Sequence, residues 1–507
     1  MNGSEKLYRA LSDVRPELVE SALDFVPARR SRRRLAALAA CVCLVAAGAF
    51  ALVKSGVFRR AQTAGAGGGG DAGGSEAYFF YAGPVFPLTL ETQNAAVTAA
   101  RNLDFDFSPY LSEENSDAYH AAALVSDGYT LTNASDSAVT VRALYPFVSS
   151  LRDLDAEIPA VSVDGTAAAA ALRQGAYSGG YTGGGDSAGS CNLSLPVSWE
   201  DYKALLADGS YERRALSDAA AADTPAIVYE FTDFTAPASG AQAPTLAVSF
   251  SLDPEKTTVL SWNFNGMERS DAGDRQRYSK SVSPGGSDGE TACLIVLGDD
   301  IGPYAVQGYA DGGCEPGGEL SGVGAKVSRR ETTLGALWLE LAERSWPSLA
   351  VIYGGEKPAN TTDAMLARAI GELAADSGPL SETPAERYGW YLNDLVSDAY
   401  AEPRVFYLSF DATIPAGGSV NVSARMRRRA SYYFSGGNAK NGGVQGCDAV
   451  TKLGTNLTFT GLTASVDTRG AVEIVRQNFG FDPKKTVSQS VLDPDVEHYF
   501  LEVRKIR

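Results

Sequence analysis

The sequence predicts a mainly β chain of the α+β kind, in which one N-terminal transmembrane helix precedes antiparallel β-sandwich-like extracytoplasmic domains with a helical insertion. Three observations predict it. Leu35 to Val53 is an uncharged apolar run of 19 residues, the length a helix needs to cross ~30 Å of hydrocarbon. Over 77–330 and again after 401, short β-branched and aromatic segments alternate with Gly, Pro, Asp and Asn turns, the pattern of a sandwich. Between them, over 331–400, apolar residues recur at helical spacing.

The cytoplasmic tail, 1–34, contains one short helix pattern, with Leu7, Leu11, Val14, Leu18 and Ala22 on one face and Pro16 dividing it. The arginines at 29, 30, 32, 33 and 34 outnumber Lys54, Arg59 and Arg60 on the far side of the apolar run. That asymmetry places the N-terminus in the cytoplasm and the bulk of the chain outside the cell membrane. The span with its flank is 35–58, and the bilayer contact is 35–53. Ala49-Phe50-Ala51 has the form of a cleavage site but lies inside the run, and Leu38 to Cys41 has the form of a lipidation signal but is preceded by too short an apolar stretch. Seven glycines among the 16 residues from Ala61 to Glu76 make 59–76 a flexible tether, about 20–25 Å in typical span.

In 77–330, Leu103, Phe105 and Phe107 alternate with Asp104 and Asp106, the period of a half-buried strand. Tyr129–Asn133 and Val139–Phe147 flank an Ala-Ser-Asp-Ser turn and read as hairpin neighbours. Ser198 can cap a helix over Trp199–Ala207, Gly175–Gly189 reads as a glycine-rich loop, and Leu294–Leu297 as a core strand. In 331–400 three helices are expected, the first capped by Thr333 and the third announced by Thr383, Pro384 and Glu386. Strands return over 401–507, among them Val405–Phe410 and Val420–Met426 around a turn at Pro415–Ser419.

The 507 residues carry a net charge of −17. Residues 1–60 hold 11 Lys or Arg against 5 Asp or Glu, so the remainder stands at −23 and is unsuited to nucleic acid. Only His120 and His498 are present, which leaves little room for histidine-based catalysis or metal binding. Gly285-Gly286-Ser287-Asp288-Gly289 matches G-x-S-x-G with His498 and Asp493 or Asp495 downstream, but no buried strand precedes the serine. Asp104 with Asp106 and Asp299 with Asp300 are carboxylate pairs whose settings are a strand's wet face and a turn. Asp493, Asp495 and Glu497 are the densest oxygen-ligand candidates for a hard cation, without EF-hand spacing. No cofactor motif is present, and no catalytic residue is assigned. Arg425, Arg427 and Arg429 fall on one face of a strand and offer a grip for an anionic polymer or headgroup, or partners for the many acids. Among the outer cysteines, Cys293 and Cys314 are nearest in sequence and the candidate disulfide, with unpaired buried thiols as the alternative.

The segment LYRALSDVRPELVESALDF, followed by basic residues and LAALAACVCLVAAGA, resembles the amino-terminal part of single-pass membrane proteins of Gram-positive anaerobes, some of them anti-sigma factors or similar regulators. YAGPVFPLTL, YTLTNASDSAVTVRALYPF and SLDPEKTTVLSWNFNG resemble an uncharacterised extracytoplasmic family of the same bacteria, which transfers no catalytic residues. The expected function is a membrane-anchored, non-catalytic binding or scaffold protein of the envelope, with an envelope polymer or protein as partner. One alternative is a transmembrane regulator whose Leu7, Leu11 and Leu18 face binds a cytoplasmic protein while the outer part senses. A second is an envelope hydrolase.

Overall fold

A computed structural model describes residues 78–81, 83–111, 122–177, 215, 224–239, 243–287, 289–376, 380, 387, 391–434 and 442–506. The face of Leu7, Leu11 and Leu18, the apolar run, the tether, the Trp199–Ala207 helix and most of Gly175–Gly189 lie outside these residues. Among the described residues no helix is long and apolar enough to cross a membrane.

The chain is mainly β. The first strands are β1 (Tyr78–Tyr81), β2 (Thr89–Leu90), β3 (Val97–Asp106), β4 (Ala122–Asn133) and β5 (Val139–Ser149). A one-turn helix α1 (Leu154–Glu157) leads to β6 (Ala160–Val163), β7 (Thr166–Ala167) and β8 (Ala171–Tyr177). A second set follows: β9 (Pro225–Thr235), β10 (Thr245–Ser251), β11 (Thr257–Trp262), β12 (Gly266–Arg269), β13 (Arg275–Ser281), β14 (Ala292–Gly298), β15 (Tyr304–Tyr309) and β16 (Gly324–Thr333). Then come α2 (Leu334–Tyr353), α3 (Asp363–Asp376) and α4 (Leu392–Ala401). The last strands are β17 (Arg404–Ile414), β18 (Ser419–Arg429), β19 (Tyr432–Phe434), β20 (Val444–Val450), β21 (Thr458–Asp467), β22 (Val472–Gln477), β23 (Val487–Val491) and β24 (His498–Lys505).

These elements form two compact units, and the division differs from the one expected from sequence. One unit takes 221–357 with 366–399; the other takes the described residues of 61–220 with 358–365 and 400–507. The strand-rich block 77–330 is therefore split, because its first eight strands share their sheets with the C-terminal ones.

The smaller unit is a sandwich of two four-stranded antiparallel sheets, β12-β13-β10-β15 and β11-β14-β9-β16. Alternate residues of both sheets, among them Phe231, Leu246, Val248, Tyr278, Leu294 and Val296, meet in one buried core. On the other face of the second sheet lies α2, whose Arg344 reaches Glu230 at 3.1 Å and stacks over Trp262. The hydroxyl of Thr333 caps α2 as its sequence predicts, accepting from the Ala336 N–H.

The described residues of the larger unit form three sheets. Seven strands run in the order β23-β21-β3-β4-β18-β6-β7, four in the order β2-β5-β17-β8, and five in the order β1-β19-β20-β24-β22. Inward residues of the seven-stranded sheet meet the four-stranded one through Asp127 and Tyr145, and the five-stranded one through Arg101 and the Val450 carbonyl.

The hairpin expected between Tyr129–Asn133 and Val139–Phe147 does not form. β4 pairs with β3 and β18, whereas β5 pairs with β2 and β17, so the turn between them carries the chain from one sheet to another. β17 and β18 make the same crossing through Pro415–Ser419, and the two corners are bonded together. The Asn133 N–H donates to Gly418 O and the Gly417 N–H to Ser135 O, both at 2.9 Å. The buried Asn133 amide donates to Ser137 O and Pro415 O and accepts from the Ser135 N–H. Gly175 also departs from expectation: it lies within β8, where Val405 O would sit 2.4 Å from any added Cβ, so close strand approach rather than loop freedom requires it.

Candidate functional site

Several sequence-predicted groups are tied up structurally. Asp300 accepts from Tyr229 at 2.7 Å, from the Ile301 N–H at 2.8 Å and from Arg329 at 3.0 Å, so its oxygens are occupied. Burial, together with donation to Asp300, pushes the Tyr229 phenol up to about 12. His498 meets Asp448 at 2.8 Å, not Asp493 or Asp495, while Ser287 belongs to the other unit and follows an irregular segment. Asp495 is paired with Lys452 at 2.6 Å and Asp493 accepts from the Asp495 N–H, so these acids build a turn. Among the described residues no three potential ligands, Asp493, Asp495 and Glu497 included, converge on a metal position.

Cys293 and Cys314 are separate buried thiols, which corrects the candidate pairing in favour of its alternative. Cys293 lies between core-facing Ala292 and Leu294, so it points out of the sandwich, 3.9 Å from Glu230. Cys314 accepts from Arg277 through its carbonyl, beyond the opposite sheet, so the sandwich separates them.

The arginines of β18 alternate as expected. Arg425 and Arg427 are exposed, Arg429 is half-buried, and Arg428 between them turns inward to the carbonyls of Gly83 and Pro84. Arg429 is held by Asp153 at 2.8 Å and Glu157 at 3.0 Å. Burial pushes the Glu157 carboxyl above its ordinary value, with Arg429 pulling the other way. At Asp153 burial acts upward too, but hydrogen bonds from Arg152 and the charge of Arg429 outweigh it and hold the carboxyl low. Two carboxyls displaced in opposite senses suit acid and base roles, yet one guanidinium clamps both. A shallow depression of about 240 Å³ near β6 and β7 offers one carboxylate, Asp411, paired with Arg142 at 2.5 Å.

What remains is a surface. On the outward face of the seven-stranded sheet the ladders align side chains in rows. One row runs Val491, Thr463, Asn102, Gly128, Ser423 and Ser162. The next runs Gln489, Ser465, Asp104, Ser126, Arg425 and Ala160, and a third Val487, Asp467, Asp106, Leu124 and Arg427. Thr130 and Thr132 add hydroxyls beside Asn421 and Ser419. From β23 to β18 this face is ~19 Å wide at ~4.8 Å per strand. Its polar groups fix one another's rotamers: Thr463 donates to Asn102, Asn102 to Asp104, and Thr130 to Asn421, at 2.8–3.0 Å, while Ser465 also donates to Asp104. Among the described residues Arg425 holds no carboxylate.

The sequence signalled this face only in part. Asp104 and Asp106 were legible as a wet strand face, but Thr463 and Ser465 join it through a parallel ladder to a strand 361 residues away. No protein-family model, no curated protein and no solved structure matches the chain.

Proposed function

We propose that this chain is a single-pass envelope protein, held by residues 35–53 with its N-terminus inside the cell, whose outer region binds a hydroxyl-rich envelope polymer without catalysing a reaction. The observation that carries this reading is the outward face of the seven-stranded sheet. Short Thr, Ser and Asn side chains on a rigid sheet offer donors and acceptors in fixed positions, which lowers the ordering cost of binding an extended polar chain. Arg425 and Arg427 give the face a cationic end that matches acidic substituents. The clamped carboxyls at Arg429 and the bonded Asp300 argue against the hydrolase alternative.

The test is sedimentation of the full-length protein with purified cell-wall polysaccharide, beside a variant carrying Asn102→Ala, Thr130→Ala and Arg425→Ala. These exposed changes leave the core intact, and a tenfold or greater loss of bound protein is the expected result. Equal binding by both proteins, or none by either, overturns the reading.

A further inference from the structure

The outermost strand of that sheet, β23, has an open edge. It pairs with β21 on one side, and no strand pairs with its other side among the described residues. The Leu492 N–H donates to Leu462 O at 2.9 Å and the Thr468 N–H to Thr486 O at 2.8 Å, which sets the phase of the ladder. Thr486, Ser488, Ser490 and Leu492 therefore bond inward to β21, and Val487, Gln489 and Val491 turn their N–H and C=O groups to the open side. The side chains of the same three residues stand on the outward face, with Val487 55% and Val491 82% exposed. Natural sheets protect such edges with lysine, proline or a bulge, and β23 has none within its length.

The strand reads Val-Ser-Gln-Ser-Val, the same in both directions. We propose that β23 pairs antiparallel with β23 of a second copy of this chain, across a two-fold axis at Gln489. In that register Val487 faces the second copy's residue 491, the two residues 489 face each other, and six backbone hydrogen bonds close the edge. Both exposed valines become cross-strand pairs. The flanks complement as well: Lys485, 69% exposed and 3.7 Å from Asp482 of its own chain, comes opposite Asp493 of the other copy, and Lys484 lies near it. A parallel or shifted pairing loses both the valine pairs and this match of charges. The interface is small, so association is weak and depends on concentration; tethering two copies in one membrane raises their effective concentration.

The test is sedimentation velocity of the full-length chain in mild detergent over a concentration series, with Gln489→Pro and Val491→Lys as variants. The Gln489 N–H points away from β21, so proline leaves the existing ladder whole, and Val491→Lys changes a side chain already in solvent. A concentration-dependent wild-type dimer that both variants weaken tenfold or more is expected. A second arm mixes chains carrying Val487→Cys with chains carrying Val491→Cys. The paired Cα atoms come about 5.5 Å apart, within disulfide reach, so oxidation links the mixture into dimers and leaves each variant alone at the wild-type level. A wild-type monomer up to about 100 μM, a dimer indifferent to either variant, or linkage equal in the mixture and the single variants overturns the proposal.

Discussion

Arg101 Nε and Nη2 donate to the two oxygens of Asp127 at 2.8 and 2.9 Å, with the side chains 2% and 0% exposed. The hydroxyls of Tyr129 and Tyr145 complete the Asp127 carboxylate at 2.7 and 3.1 Å, and Arg101 Nη1 caps Val450 O at 2.7 Å. Burial works against the guanidinium's charge, but Asp127 outweighs it and holds its pKa above the ordinary value. Three strands and the Val450 carbonyl are thus fastened at one point. Asp127→Asn leaves a buried cation without its counter-charge and is expected to destabilise the chain by about 3–5 kcal/mol. Denaturant unfolding measures it, and a double-mutant cycle with Arg101→Met is expected to show coupling above ~1 kcal/mol.

Asp106 on the outward face is a second pair with a pH signature. A bidentate hydrogen bond from Arg469 is the main cause that lowers its carboxyl from 3.8 to about 2, helped by the Ser108 N–H. A carboxyl depressed by folding contributes stability above pH 3.8, and this is lost as pH falls toward 2. Carboxyl-carbon NMR should find the Asp106 midpoint near 2, and Arg469→Gln should raise it toward 3.8. The destabilisation caused by that substitution should shrink as pH falls from 3.8 and vanish only below pH 2.

Buried thiols give a simple probe of integrity. Burial pushes both Cys293 and Cys447 up to about 12, so neither supplies thiolate at pH 8. Iodoacetamide at that pH should leave both unmodified in the native protein and alkylate both in denaturant, as read by peptide mass spectrometry.

The bonded corners predict a further cost. Asn133→Ala strips donors from Ser137 O and Pro415 O and an acceptor from Ser135. Loss of about 2–3 kcal/mol is expected on unfolding, whereas Ser137→Ala, which contributes only its carbonyl to Asn133, should change little.

Local chemistry was readable in the sequence and partnership was not. The alternation at Leu103 and Phe105, the Thr333 cap and the shared face of Arg425 and Arg427 follow from neighbours a few residues apart, and all stand in the structure. The 134–138 turn has hairpin chemistry, yet Asn133 bonds to Pro415, 282 residues on, and so makes a corner instead. His498 finds Asp448 for the same reason: Ala449 and Tyr499 are ladder partners in β20 and β24, a fact no spacing motif encodes.

The pairing of β5 with β17 and of β4 with β18 has a consequence for the order of folding. Ribosomes deliver β3, β4 and β5 more than 250 residues before β21, β18 and β17, which each flank one of them on one side, and the smaller unit is made in the interval. Contacts so distant in sequence close slowly and leave strand edges exposed meanwhile. The smaller unit can complete its core while the larger one waits as an open intermediate, so nascent chains ending before residue 404 are the species that should require a holding chaperone.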